Sequence, residues 1–446
     1  MLPGHMPRAA AGLIMLLVFG PASAADSAAA RRADLETARS EYIAKTQALA
    51  PAQRRAALDY LERIGPRVGA MSDAEFMLAV ARIPAFADNA HDGFDSGDDS
   101  WWPDTRLPLR LVWFPDGLLV ARAAPAYASL LGARITRIEG LAPAQLLARL
   151  HAVCGGTEEY RQWNALWVIS NGGLLKALGV AQSATALRIE AQLHDGRRQA
   201  LSLPFVPQAS MPARLRPTRL LSAALTDDEA GKGWRAATAG AAPLYQQQAD
   251  TLYRAQQLPE LDALYVQLRS NLDEDGQHLE PFLQATLVQA RATPPRNLVL
   301  DLRFDVGGDI DMTRDFLREI VQLATGRIYV LVGRYTFSAG IVSAAAARHD
   351  GGSRVTLVGE QVGDRLRFWS EGVHACLPNS HYCLRPTTGL WDLEQGCKSQ
   401  PGCYGDQFEA TVGSLRPQLS APLTAAAWLT GRDPAMEAVS RDLRGH

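Results

Sequence analysis

At 446 residues, 47% of them hydrophobic and 21% charged, the chain is long enough for two or three domains whose cores fold unaided. A formal net charge of -2 with no basic patch argues against a nucleic-acid binder held by phosphate contacts. Beyond the first residues no run of about twenty apolar residues occurs, so no membrane span is expected.

Met1 to Ala24 reads as a secretory signal. Arg8 supplies the positive start, Gly12 to Phe19 the apolar core and Ala22-Ser23-Ala24 a small-residue cleavage site. Ala25 rather than a cysteine follows the expected cut, so no lipid anchor is indicated, and the expected location is periplasmic or secreted. Residues 25–104 form a helical N-terminal region, with Leu35, Ala38, Tyr42 and Ile43, then Leu58, Leu61 and Ile64, on repeating faces. The region ends in an acidic stretch, Asp88 to Asp104, that carries His91. Asp95, Asp98 and Asp99 could hold calcium, but their spacing does not match the twelve-residue calcium loop, and an exposed loop bordering a site is the simpler reading.

Residues 105–206 predict a small β-rich subdomain. Short alternating strands run from Leu107, broken by Pro115-Asp116-Gly117 and Glu139-Gly140, with a helix from Ala144 to Leu150 and a hairpin over Leu187 to Pro204 that turns at Asp195-Gly196. Residues 207–258 are irregular and polar, a linker or lid. The remainder, 259–446, holds the clearest pattern. Asn297 to Leu300, Arg327 to Val332 and Arg354 to Val358 read as buried strands, with helices over Thr313 to Thr325 and Ser338 to Arg348 between them. Alternating strands and helices imply crossovers and a parallel sheet. Cys376, Cys383, Cys397 and Cys403 lie in one loop-rich segment. Three pairings are open; the short spans favour Cys376 with Cys383 and Cys397 with Cys403, and a zinc site is the sharper rival. Cys154 is left as a buried free thiol.

Ligands of open α/β sheets bind at the carboxyl ends of strands. Gly307-Gly308, Ser338 and Glu360 all fall there. A serine at a helix start is ordinarily an N-cap. At the same position, unpaired N–H groups and the helix dipole can also favour an oxyanion, and glycines let backbone N–H groups approach a carbonyl closely.

Asp301-Leu302-Arg303 followed by Gly307-Gly308, then Thr336-Phe337-Ser338-Ala339 and Gly359-Glu360, resemble the core of the tail-specific (C-terminal processing) and tricorn-type serine peptidases. The resemblance extends to Leu264 to Leu268, to stretches between Leu107 and Gly140, and to Gly431-Arg432-Asp433-Pro434. It implies an α/β fold with a crotonase/ClpP-like spiral of βαβ units. At 105–206 it implies a PDZ-like module that captures a peptide by strand addition, with a plain β subdomain as the alternative. It further implies a peptide or unfolded-protein substrate, Ser338 as nucleophile, oxyanion donors among Gly307, Gly308 and Ala339, and no cofactor or metal; it says nothing of oligomeric state.

Relatives that pair serine with lysine place the lysine just beyond the Gly-Glu segment, where this chain has Gln361-Val362-Gly363-Asp364-Arg365. Arg365 stays protonated and cannot act as a base. The tricorn-like branch uses a histidine in its N-terminal part, which points to His91 in Asp88-Asn89-Ala90-His91-Asp92-Gly93. Glu360, Glu371 and Asp92 are candidates to orient it, and Glu360, at a strand end, is preferred. Asp305 stands where the family usually has asparagine. The missing lysine and the changes around Asp305 and Asp364 motivate a second reading, a catalytically silent peptide or ligand binder, beside a third, a non-peptidase acyl hydrolase.

Overall fold

The structure, a computed structural model, describes residues 24–95, 105–404, 408 and 410–445. The expected signal segment up to residue 23 and the aspartates Asp98 and Asp99 lie outside these residues. Among the described residues no helix is long and apolar enough to cross a membrane.

Three helices open the chain: α1 (Ala24–Thr37), α2 (Pro51–Ile64) and α3 (Asp73–Ala85). Ser72 caps α3 by accepting the Glu75 N–H, while the Glu75 carboxylate accepts from the Ser72 backbone. The apolar side of α3, Phe76 to Ala81 and Ile83, shares one continuous core with a six-stranded antiparallel sheet. That sheet runs in order through β1 (Leu109–Phe114), β2 (Gly117–Ala123), β3 (Arg134–Ile138), β4 (Ala186–Gln192) and β5 (Arg198–Pro204). The β4–β5 hairpin turns at Asp195-Gly196 as the sequence predicts. The helix expected near Ala144 is α4 (Pro143–Leu150).

The second sheet has the order β6 (Tyr253–Leu258), β7 (Ala263–Leu268), β8 (Asn297–Asp301), β9 (Ile328–Val332), β10 (Val355–Gly359) and a short strand at Leu419–Ser420. All pairs from β7 onward are parallel; β6 is antiparallel on the edge. Parallel neighbours need crossovers, and α5 (Leu279–Ala292), α6 (Arg314–Leu323) and α7 (Ala339–Gly351) supply them. Every residue of β7, β8 and β9 is buried, as expected for strands covered on both faces. Alternate residues divide between two cores: Leu298, Leu300 and Val330 join the helix side, whereas Val299, Tyr329 and Leu331 meet the C-terminal helix α8 (Pro434–Arg444).

Part of the stretch expected to be an irregular linker or lid is strand. Arg235–Ala236 pairs with β2, and β6 closes the edge of the parallel sheet. Arg254, Gln256 and Gln257 hide the alternation of β6 in the sequence, and Arg254 is satisfied by Gln267 on β7 and by backbone oxygens. Cys376–Cys383 and Cys397–Cys403 are disulfides, and Cys154 is a buried free thiol that burial pushes up to about 12.

Candidate active site

The turn after β9 is fixed by Thr336, whose hydroxyl donates to the Leu302 carbonyl at 2.8 Å and accepts the Gly333 N–H at 2.9 Å. It delivers Ser338 to the start of α7 at φ 53°, ψ −127°. This is a sparsely populated conformation that costs roughly 1–3 kcal/mol, of the kind that clusters at active sites and ligand clamps. The Ser338 side chain makes no capping hydrogen bond, whereas its carbonyl accepts from Ile341 and Val342. The N-cap explanation of this serine therefore fails, because a cap needs an extended backbone and an accepting side chain.

Opposite stands the turn after β8. Gly307 and Gly308 have φ of +97° and +142°, and a Cβ on Gly307 would lie 2.6 Å from the Ser338 Cβ and 2.9 Å from the Ala339 nitrogen. The turn is tied to the serine loop by the Phe337 N–H, which donates to the Asp305 carbonyl at 2.9 Å, and to the end of β7 by the Asn271 N–H on the Gly307 carbonyl. The Gly307 N–H donates to Asp305 Oδ1 at 3.0 Å, so it is not free for an oxyanion, which corrects its expected role. The N–H groups of Gly308 and Ala339 make no hydrogen bond among the described residues. Burial pushes the Asp305 carboxyl up to about 7, against the pull of the Gly307 N–H.

His91 comes from the loop after α3 and is buried. Asp92 anchors that loop by accepting from Tyr42 (2.7 Å), Thr46 (2.7 Å), Asn89 (2.8 Å) and Thr387 (2.5 Å). Asn89 also exchanges a pair of hydrogen bonds with the backbone of Trp369. These contacts hold the imidazole face to face between Phe337 and Phe368, with ring centroids 4.4 and 4.9 Å away. Phe337 immediately precedes Ser338, so the histidine is packed against the serine turn. Among the described residues neither ring nitrogen has a hydrogen-bond partner; Nδ1 lies 3.5 Å from Asp364 Oδ2, which likewise has none among them.

Glu360, the preferred orienting residue, is engaged elsewhere. Its Oε2 pairs with Arg334 at 2.7 Å and its Oε1 accepts the Leu423 N–H at 2.8 Å. Glu371 accepts from Ser370 and Trp391, and the Asp92 oxygens are filled by the loop's own donors. The carboxylate beside the imidazole is Asp364, in the run where serine–lysine relatives would place their lysine. Its position just past Gly359-Glu360 is the signal that could have found it. Arg365 reaches back to Asp88, at 2.7 Å between Nη2 and Oδ2. Burial would raise Asp88, but His151 and Arg365 outweigh it and hold the carboxyl below its usual range. Asp301-Leu302-Arg303 is structural: Arg303 bridges Asp301 and Asp433, joining the end of β8 to the base of α8. Among the described residues no cluster of side chains is suited to a metal ion.

No protein-family model matches the sequence, and neither does any curated protein. Solved structures do. Mature CPAF complexed with lactacystin is 11% identical, with 94% of this chain and 98% of that chain covered and a TM-score of 0.58. The photosystem II D1 C-terminal processing protease is 14% identical, covering 93% and 97%, with a TM-score of 0.41. The tricorn protease is 13% identical, covering 94% of this chain and 37% of that one, with a TM-score of 0.37. Over nearly the full length of both proteins the chain has the mixed α/β fold of CPAF.

Proposed function

We propose that the protein is an exported serine-type peptidase acting on peptides or unfolded protein, with a crotonase/ClpP-like catalytic core and the antiparallel sheet as a PDZ-like module. In this reading Ser338 Oγ attacks the scissile carbonyl while His91 takes the hydroxyl proton and returns it to the leaving amine. With Nδ1 turned to Asp364, Nε2 is the nitrogen left for the serine. Asp364 thus replaces Glu360 as the group that fixes the tautomer and stabilises the imidazolium. Gly308 and Ala339 offer the two N–H groups for the oxyanion. Two disulfides support an oxidising compartment.

The observation that carries the reading is the pairing of a strained serine beside two free N–H groups with a buried histidine whose nitrogens are uncommitted. It is tested by fluorophosphonate labelling and peptide cleavage, both of which Ser338→Ala should abolish. Labelling unchanged in that variant would remove Ser338 from the mechanism. One observation favours the alternative of a silent binder: no hydrogen bond joins His91 to Ser338. Peptide binding by the wild type without labelling or turnover would establish it.

A further inference from the structure

The loop that carries His91 is braced by one cross-linked hairpin. Ala375–Cys376 and Cys383–Leu384 pair antiparallel, and the Cys376–Cys383 disulfide joins them at a paired position. Cys383–Leu384 is the middle strand of three: its other edge pairs with Phe94–Asp95, the short strand that continues the histidine loop. From there the chain runs along the loop itself. The Arg385 N–H donates to the Gly93 carbonyl at 3.2 Å, and the Thr387 hydroxyl donates to Asp92 Oδ2 at 2.5 Å, one residue from His91. Thr387 is held in turn by the segment before α2, since its carbonyl accepts the Gln47 N–H at 2.7 Å and its own N–H donates to the Thr46 hydroxyl at 3.2 Å.

The far end of the hairpin is fastened to the N-terminal helices. Asp34, fully buried on α1, accepts the N–H groups of Asn379 and Ser380 at 2.9 and 2.8 Å. Tyr382 packs against Phe76 of α3 and against Phe94, with ring centroids 6.4 and 5.4 Å apart. Each strand of the hairpin is only two residues long, and so short a ladder does not persist by itself in water. The covalent bond is therefore what keeps residues 375–376 against 383–384, and residues 383–387 against the histidine loop. The two disulfides differ in access. Cys376 is exposed and Cys383 buried. Cys397 is buried, and its loop is fastened to Leu390, whose N–H donates to the Gly402 carbonyl at 2.6 Å and whose carbonyl accepts the Tyr404 N–H at 2.7 Å. Thiol–disulfide exchange needs access to a sulfur, and exposed disulfides are the labile, regulatory ones.

We propose that Cys376–Cys383 is a redox switch on the base: the intact disulfide holds His91 in place through residues 92–94, and a dithiol reductant turns the site off by releasing that loop. A thiolate of the reductant attacks the exposed Cys376 sulfur, the S–S bond breaks, and Cys383 leaves as a thiolate that takes up a proton. The second thiol of the reductant then displaces Cys376 from the mixed disulfide. The protein gains two electrons and two protons, and the reductant ends as its own disulfide. The proposal rests on the hydrolase reading with His91 as base.

Fluorophosphonate labelling of Ser338 in the full chain, across dithiothreitol buffers of increasing reducing power, tests it. Iodoacetamide alkylation of parallel samples, read by mass spectrometry, reports which cysteines are free. Cys376 and Cys383 should become alkylated first. Labelling should fall with them roughly 10²-fold, the cost of about an ångström of misplacement at a reacting group, and return on reoxidation. Hydrogen exchange over the same series should rise in residues 88–95 and 383–388 and stay slow in β8 and β9. Cys376→Ser combined with Cys383→Ser should label at the reduced rate with or without dithiothreitol; if that variant fails to fold, the reversible titration of the wild type still decides the matter. Labelling that persists while Cys376 and Cys383 are alkylated would overturn the switch and leave the hydrolase standing. Reduction of Cys397–Cys403 ahead of Cys376–Cys383 would do the same, as would loss of labelling accompanied by rising exchange in β8, which is unfolding rather than release of one loop. A wild type that takes no label under oxidising conditions would overturn the hydrolase and the switch with it.

Discussion

Ser338 and His91 are held by opposite means. The serine is placed by backbone: a residue at φ 53°, glycines with no Cβ and a threonine fastening one turn to another, all within residues 302–309 and 333–342. The histidine is placed by the side chains of Tyr42, Thr46, Asn89 and Thr387 and the backbone of Trp369, with no strained residue at His91 itself. In the proposed mechanism such a site has a rigid nucleophile and a base whose position depends on the docking of distant segments. Damage to the two halves should look different: changes at the serine turn should alter rate with local strain, and changes around the histidine should couple rate to stability.

The sharpest test on the histidine side is Asp364→Asn, which removes the charge facing Nδ1 with little change of volume. Labelling should fall roughly 10³- to 10⁴-fold, as for loss of an orienting aspartate elsewhere. Glu360→Gln should leave labelling within a few-fold while lowering the unfolding midpoint, because its partner Arg334 loses a part-buried ion pair. The reverse ranking would return the orienting role to Glu360. On the serine side, Gly307→Ala forces a Cβ to 2.6 Å from the Ser338 Cβ at a positive φ. Labelling should drop roughly 10²- to 10³-fold as the oxyanion donors move, with about 1–3 kcal/mol of stability lost to strain; wild-type labelling in this variant would separate the glycine turn from the chemistry.

The same contrast explains what could be read in advance. β8, α6, β9, α7 and β10 were legible because strands buried on both faces are unbroken apolar runs, and glycines and serine follow them directly in sequence. Glu360 does sit at a strand end, but the strand end aims it at Arg334, and no local pattern reveals that. The facing of Asp364 and His91 depends on how residues 363–369 cross the histidine loop, a contact between residues more than 270 apart in the chain. The use of the Gly307 N–H by Asp305 was within reach of the sequence, since aspartates commonly accept from the N–H two residues on.

Asp92→Ala addresses the coupling of rate to stability. It leaves Tyr42, Thr46, Asn89 and Thr387 without their shared acceptor in a buried setting. Urea unfolding should show a loss of about 3 kcal/mol, and labelling should fall with it as the histidine loop loosens. An unchanged midpoint would mean that the loop is held by packing of the aromatic rings rather than by its carboxylate.

The smallest effect is expected from Arg365→Ala. Arg365 binds both the carboxylate and the carbonyl of Asp88, the residue at φ 48° that begins the histidine loop, so the contact looks like a clamp. Both side chains are well exposed, at 46% and 36%, so water and salt screen the pair, and such pairs are worth about 0–1 kcal/mol. Asp88 also keeps His151 at 2.7 Å and the Gly156 N–H at 3.1 Å when the arginine is gone. The variant should therefore unfold within about 1 kcal/mol of the wild type, with the difference shrinking in high salt, and its labelling should change at most a few-fold. A large loss of labelling at unchanged stability would show that the guanidinium acts on the chemistry through its charge, and that the histidine half of the site depends on more than the docking of its loop.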